Sequence, residues 1–368
     1  MDLSIVMPCL NESETLEICI NKAKTQIKKL NISGEIIVAD NGSTDGSIQI
    51  AKKNGANVIN VSKKGYGITV RSGIQAATGK YILIADADDS YDLNDVPKFL
   101  NKISEGFDLV QGCRLPIGGG KISKDAMPLS HKYIGNPFFS YLTKKFYNVP
   151  FNDVYCGMKI IRKETLKKIN FFSSGMVFCL EILIKYCVNK LKVSEIPITL
   201  YKDGRIKGKS HLKTISDGLK TLKFLLIFTP KWIYFFPSIF FLISSIVLIF
   251  FSYQNIFVLD IFSLYLVSSL LIFLSIQIFM LGLYSTLRAE SLGFIKNNNM
   301  KKFFNFFSLS KSLFFNLTGI FFSFLMFFTN YIDLLDDKNS LLLSALFVIT
   351  FITLIFNSFF IALLRIDE

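Results

Sequence analysis

Past residue 230 the chain turns abruptly apolar. From Trp232 to Phe251 it reads WIYFFPSIFFLISSIVLIFF, twenty residues without a charge, and three more such stretches follow at about 261–285, 312–332 and 341–364. A helix needs about 20 residues to cross ~30 Å of hydrocarbon, and in lipid it must satisfy its backbone polar groups internally. One such stretch could be the buried core helix of a soluble protein. Four in little more than a third of the chain predict an all-α membrane domain over 231–368 with four transmembrane helices, near 232–251, 261–285, 312–332 and 341–364.

The loops between these stretches predict an orientation. The connection 286–311 carries Arg288, Lys296, Lys301, Lys302 and Lys311, whereas 252–260 and 333–340 together carry only Lys338 beside Asp260, Asp333, Asp336 and Asp337. Lys and Arg mark the cytoplasmic side. The expectation is a multi-pass integral membrane protein whose N-terminal domain, 286–311 loop and C-terminal tail are cytoplasmic. An even number of spans agrees with it.

Composition narrows the rest. The chain has 368 residues, 51% of them hydrophobic, with 38 Phe and one Trp. Its 41 Lys+Arg against 28 Asp+Glu exclude an acidic disordered chain. Cysteines at 9, 19, 113, 156, 179 and 187, with no CxxC and two His, argue against a zinc site or a disulfide framework and for reduced thiols. MDLSIVMP opens directly in a strand-like run, so no cleaved signal peptide is expected. Of the net +13, +12 lies before residue 231, and eight Lys and Arg fall between Lys202 and Lys231. Basic residues just before a span gain ~1 kcal/mol each near anionic headgroups, so the expected partner is the lipid bilayer and not nucleic acid. Segment 212–230 has apolar and Lys residues at helical spacing and reads as an interfacial amphipathic helix.

Before it, 1–211 alternates short apolar runs with amphipathic patterns. LSIVMP, EIIVAD, ANVINV, YILIAD and DLVQGC read as strands, and 12–30, 44–54, 66–78 and 92–105 as helices, with Asn11 or Ser13 and Thr44 as N-caps. The expected fold is α/β with a mostly parallel, Rossmann-like sheet, whose ligands bind outside the carboxyl ends of its strands. Those ends are polar: Pro8-Cys9-Leu10-Asn11-Glu12, Asp40-Asn41-Gly42-Ser43-Thr44-Asp45, and Asp86-Ala87-Asp88-Asp89. One acidic turn is ordinarily a cap. Three on one sheet edge repel one another unless a cation or ligand needs them, and Asp86 and Asp88 are spaced to share one polar site.

The segments SIVMPCLNE, ADNGSTDGS, KGYG…RSG and ADADDSYD resemble glycosyltransferase family 2, nucleotide-sugar-dependent enzymes of the GT-A fold. QGCRL, AMPLSHKYIGNP, VYCGMK, SSGMVFCLE and the run from SEIPITLYKDGRIKGKS onward look like the branch around dolichyl-phosphate mannose synthase and bacterial polyprenyl-phosphate glycosyltransferases. The resemblance covers about 2–230; the membrane part matches in layout only. It implies a nucleotide-sugar donor, a polyprenyl or dolichyl phosphate acceptor and Mg²⁺ or Mn²⁺. It places Pro8, Asn11, Glu12 and Asp40 at the nucleotide, with Asp45 and Arg71 nearby. Asp86 falls on the ribose side and at the metal, and Asp88 is the metal ligand. A Gln that reaches the metal in the mannose synthases is Ser90 in this chain. Arg114 matches an arginine that receives the acceptor phosphate; His131 and Lys132 stand near a second basic contact, and Arg205, Lys209 and Ser210 fall in a loop that closes over both substrates.

The chemistry agrees. Negative charge builds on the leaving diphosphate, where a metal and Arg or Lys stabilise it, and an acceptor phosphate needs positioning more than a base. A single in-line displacement inverts the anomeric carbon. A hydroxyl acceptor would instead need a base, for which Glu181 is the candidate. A lipid-linked sugar transporter or scaffold is a further alternative, although the apolar stretches offer little beyond Gln277, Asn316 and Asn357 as polar groups inside them. Gly65-Tyr66-Gly67 reads as a turn feeding a helix, and 115–126 as a flexible surface loop. A homo-oligomer is left open.

Overall fold

The computed structural model describes residues 1–206, 214–254, 261–296, 309–332 and 338–364. Two compact units emerge: Met1–Leu225 with Leu292–Phe294, and Leu226–Ser291 with Ile295–Glu368.

The first unit is built on a seven-stranded sheet. Its strands are β1 Leu3–Cys9, β2 Gly34–Asp40, β3 Asn57–Asn60, β4 Tyr81–Ile84, β5 Leu109–Cys113, β7 Lys159–Arg162 and β8 Val193–Pro197, in the order β3-β2-β1-β4-β7-β5-β8. The short strands β6 Lys121–Ile122 and β9 Thr199–Leu200 pair separately. β1 is central and apolar on both faces, as a covered parallel strand must be; its register runs from Leu3 opposite Gly34 to Cys9 opposite Asp40. Helices α1 Leu16–Lys29, α2 Ser47–Lys53, α3 Tyr66–Ala76 and α4 Val96–Ser104 connect the first five strands, and α5 Asn136–Tyr147 and α6 Phe178–Val188 follow. Leu3, Ile5, Met7, Leu16, Ile20, Val96 and Phe99 lie in one core.

The expected α/β sheet is there, mostly parallel, with three differences. β7 enters antiparallel between β4 and β5, with Ile84 opposite Lys159 and Val110 opposite Ile160. The expected caps are not the caps: Thr15 and Gly46 precede α1 and α2, neither giving a side-chain cap bond. Asn11 and the Thr44 amide bond each other across two loops instead. And 115–126 is ordered in part, since β6 pairs with β9.

α7 Thr214–Ile227 runs from the first unit into the second. The second unit holds α8 Phe236–Tyr253, α9 Ile261–Ser291, α10 Leu309–Ile332 and α11 Lys338–Leu364. Among the described residues two helical segments, Lys231–Ser252 and Ser263–Ser291, are long and apolar enough to cross a membrane; Lys311–Leu325 and Leu346–Ile361 are shorter apolar segments. Polar side chains in these helices bond between helices: Ser275 Oγ donates to Ser238 O at 2.8 Å, Ser245 Oγ to Ser268 O at 2.8 Å, and Gln277 Nε2 to Thr353 Oγ1 at 3.1 Å. In an apolar medium such bonds hold helices together. Loop residues 255–260 and 333–337, on which the expected topology partly turned, lie outside the described residues.

Candidate active site

Because β1, β2 and β4 are parallel, the loops that follow them leave the sheet at one edge. β7, running the other way, starts at that edge with Lys159 beside the end of β4. The first two loops are stitched together by side chains. Asn11, at φ +56°, donates its amide to Ser43 Oγ at 2.8 Å, and its Oδ1 accepts from Thr44 N at 2.8 Å. Asp40, buried, accepts from Gly42 N at 2.8 Å and Ser43 N at 3.1 Å. Asp45 accepts from Ser13 N at 2.9 Å and Ser47 N at 3.0 Å. Burial would raise Asp45, but hydrogen bonds from Ser47 and Ser13 outweigh it and hold the carboxyl at about 2. Asn11, Asp40 and Asp45 therefore shape the edge through these loops. Pro8, in β1 opposite Ala39, lies beneath it.

Glu12, Asp86, Asp88 and Arg205 come together. Arg205 Nε donates to Glu12 Oε2 at 2.8 Å, Nη2 reaches Glu12 Oε1, and Nη2 lies 3.4 Å from Asp88 Oδ2. Asp203 adds a contact to Nη1 at 3.3 Å. Burial opposes charge on Arg205, but these carboxylates overcome it and raise its pKa further. Asp86 lies behind. Tyr66 Oη, at the start of α3, donates to Asp86 Oδ1 at 3.2 Å. Burial and the neighbouring Asp88 push Asp86 up to about 7, against Lys159, Tyr66 and Arg114, which favour its charged form. Gly157 packs so closely that a Cβ there would meet Asp86 Oδ2 at 2.4 Å.

The donor set suits a hard divalent ion that keeps few protein ligands and takes substrate phosphate oxygens. Asp88 Oδ1 accepts from Ser90 Oγ at 2.6 Å and Ser90 N at 3.1 Å, leaving Oδ2 toward Arg205. Ser90 thus orients the carboxylate. Repulsion between Asp86 and Asp88 is what a dication would relieve.

The other expected residues are placed differently. Arg114 is buried with its fork closed on buried Asp153, Nε to Oδ2 at 2.7 Å and Nη2 to Oδ1 at 2.8 Å; Nη1 reaches Tyr91 Oη at 3.5 Å. Burial opposes its charge but Asp153 more than restores it. Glu181, the candidate base, is fully buried; it pairs with Lys185 Nζ at 2.7 Å and accepts from Phe172 N at 2.9 Å and Ser173 N at 2.8 Å. That is the position of a loop brace, whereas the base role was expected only for a hydroxyl acceptor. Arg71 lines a separate open groove with Lys80, Arg162 and Lys167. His131 and Lys132 open the turn before α5, where His131 Nε2 lies 3.0 Å from Thr214 Oγ1. Lys209 and Ser210 lie outside the described residues.

Sequence inspection missed Tyr66, Tyr91, Asp153 and Lys159. Lys159 is buried at 2% exposure, donating to Cys156 O at 2.7 Å. A lysine almost never buries fully unless paired, so nothing local announces it. Its neighbours Cys-Gly-Met were the only available sign.

The result is an α/β domain with a mostly parallel sheet, whose acidic edge Arg205 meets through Glu12 and Asp88. Residues 4–169 match the family model described as Glycosyl transferase family 2. The low-salt glycan biosynthesis hexosyltransferase Agl6 of Haloferax volcanii is 33% identical over 237 residues, 64% of this chain and 56% of that protein. The chain thus spans little more than half the length of that relative. A dolichyl-phosphate hexose transferase of the same organism is 29% identical over 217 residues, 59% of this chain and 89% of that protein. Among solved structures, glucosyl-3-phosphoglycerate synthase of Mycobacterium tuberculosis with Mn²⁺, UDP-glucose and glycerol 3-phosphate aligns at TM-score 0.49 and 19% identity over 61% of this chain and 79% of that chain.

Proposed function

We propose that the protein transfers a hexose from a nucleotide sugar to a polyprenyl or dolichyl phosphate at the cytoplasmic face of a membrane, with inversion. The observation that carries this is the Glu12–Arg205–Asp88 contact, which brings a loop cation onto the acidic sheet edge. The relatives named for hexosyl transfer and for a dolichyl-phosphate acceptor support the same reading.

Asp88, with Asp86 behind it, would hold Mg²⁺ or Mn²⁺, which when bound supplies positive charge to the donor diphosphate. The loops carrying Pro8, Asn11, Glu12 and Asp40 form the nucleotide's seat, with Asp45 fixing their shape. Asp86 stands toward the ribose. Arg205, released from Glu12 when a donor enters, turns its fork to phosphate oxygens, for which its geometry is suited. Lys132, Lys209 and Ser210 complete the acceptor's reception. Arg114, closed on Asp153, sets the field behind Asp86. With Glu181 occupied as a brace, no base is assigned, and an acceptor that is already an anion needs none. The four apolar helices, two of them with shorter apolar segments, anchor the chain: Gln277 bonds Thr353 and Asn316 lies 3.4 Å from Ser358 Oγ, so their amides serve helix packing.

The test is a partition assay. Membranes containing the full chain receive Mg²⁺ or Mn²⁺, polyprenyl phosphate and, in parallel, radiolabelled UDP-glucose, UDP-galactose and GDP-mannose. Label entering the organic phase only with added polyprenyl phosphate, and released by mild acid, establishes the reading and names the donor. Acid-stable label without added polyprenyl phosphate moves the acceptor to a hydroxyl.

A further inference from the structure

The three residues Leu292–Phe294 follow the long apolar helix α9 directly in the chain, yet they belong to the first unit. Phe294 is 1% exposed there. Its ring meets Phe172 edge-on at 5.5 Å and Phe224 at 5.0 Å, and Lys185 Nζ lies 4.9 Å from its centroid. Gly293, at φ +78°, makes the turn that delivers it. Edge-on ring pairs and a desolvated cation over a ring each add specific attraction to the area buried.

What Phe294 packs against leads to the active site. Lys185 pairs with Glu181 at 2.7 Å and donates to Asn170 O. Glu181 takes the amides of Phe172 and Ser173. Together they fix residues 170–175, whose Ser174 carbonyl accepts from Ile68 N at 3.1 Å. That carbonyl run presses on the KGYG turn: a Cβ at Gly65 would meet Ser174 O at 2.3 Å, and one at Gly67 would meet Ser173 O at 2.6 Å. Between those glycines stands Tyr66, whose hydroxyl holds Asp86.

We infer that Phe294, Lys185 and Glu181 are positioning residues: the segment after α9 seats the 170–175 loop, which fixes the start of α3 and so sets Tyr66 against Asp86 at the nucleotide edge. Every link is a hydrogen bond, an ion pair or a ring contact within the first unit. The segment that leaves α9 thereby conditions the catalytic domain's grip on its donor. The inference deepens the sugar-transfer reading and rests on it only for the identity of the ligand.

The experiment uses the full chain in detergent and two readouts. The first is hydrogen exchange of the Ile68, Phe172 and Ser173 amides. The second is equilibrium binding of UDP and GDP with Mn²⁺ and, where turnover is measured, the division of loss between KM for the donor and kcat. Phe294→Ala is expected to speed exchange at these amides about tenfold or more, since the loop then opens locally. It should weaken nucleotide binding about tenfold through KM, with kcat less affected. Phe294→Leu, which refills most of the volume, restores both. Glu181→Gln, which leaves Phe294 in place, should reproduce the loop opening without moving the pH profile; if Phe294→Ala does not fold, this variant carries the test. Unchanged exchange at those amides in folded Phe294→Ala or Glu181→Gln overturns the inference whether or not any nucleotide binds. If the wild type binds neither nucleotide, the sugar-transfer reading fails, and the exchange data still decide the positioning.

Discussion

Arg205 and Glu12, 193 residues apart in sequence, share a two-pronged ion pair that is almost closed to solvent, with side-chain exposures of 9% and 6%. In the proposed reaction the Glu12 carboxylate holds the fork that a substrate's phosphate oxygens would engage, and Asp88 Oδ2 lies 3.4 Å from the same guanidinium. Two roles then compete for one guanidinium, and entry of the donor decides between them. Arg205→Ala is expected to lower kcat about 10²–10³-fold, the scale of one lost charge-stabilising donor. Arg205→Lys should recover little of this, because an ammonium cannot make the paired contact. Steady-state transfer from the donor identified by partition assay measures both.

Ser90 bonds Asp88 Oδ1 through both its hydroxyl and its amide. Removing the hydroxyl leaves only the longer amide bond from residue 90 on Oδ1. Ser90→Ala should therefore weaken the apparent affinity for Mn²⁺ about 10–100-fold while leaving the fold intact, as loss of an outer-shell partner does. Asp88→Asn is the stronger change: turnover is lost and nucleotide binding falls only modestly. Metal titrations of activity and of nucleotide binding distinguish the two variants, and unaltered transfer by Asp88→Asn would remove the metal assignment.

Arg114 and Asp153 form a buried pair with side-chain exposures of 10% and 0%. Breaking one partner strands the other. Asp153→Ala is expected to cost about 3–5 kcal/mol, whereas removing both charges in Arg114→Met with Asp153→Leu restores much of it. Urea unfolding followed at the catalytic domain checks the order. If Arg114 alone also governs the acceptor, the double variant will be stable but show a raised KM for polyprenyl phosphate.

The sheet was legible because β1 and β2 are continuous apolar runs ending in polar turns, and a covered parallel strand cannot look otherwise. The acidic edge was legible for the same reason: Glu12, Asp86 and Asp88 all follow strand ends. β7 was not, because KIIR is four residues long and begins with a lysine, and burial of Lys159 is a tertiary fact. Arg114 and Glu181 show the other limit. Both are charged residues in segments matching a family pattern, but Asp153 and Lys185 determine what their side chains do, and pairing in space leaves no periodicity in sequence.

Asp45 supplies a pH dependence. Its carboxyl sits at about 2 in the folded chain against an ordinary 3.8. The folded value is the lower one, so the ionised group stabilises the fold above the unfolded value, and that contribution disappears as pH falls from about 4 through about 2. The melting midpoints of wild type and Asp45→Asn should differ by a constant amount above about pH 5 and converge toward about pH 2. A gap that persists at the acid end would mean that Asp45 acts through packing and not through charge.

Gly157 gives the narrowest test of Asp86. Its amide donates to Tyr91 Oη at 2.8 Å, so the backbone there is held in place, and a methyl group would overlap the Asp86 carboxylate at 2.4 Å from Oδ2. Something must move, and among the described residues the hydrogen bond from the Tyr66 hydroxyl is what orients Asp86 Oδ1. Displacement of about 1 Å in a positioning group costs on the order of 10²-fold in rate. Gly157→Ala is expected to lose transfer on that scale with the nucleotide KM rising. Tyr66→Phe, which only removes the hydrogen bond, should show a smaller loss of the same kind. Equal activity of Gly157→Ala and wild type, in a folded protein, would place Asp86 outside the donor's reach and leave Asp88 to serve alone.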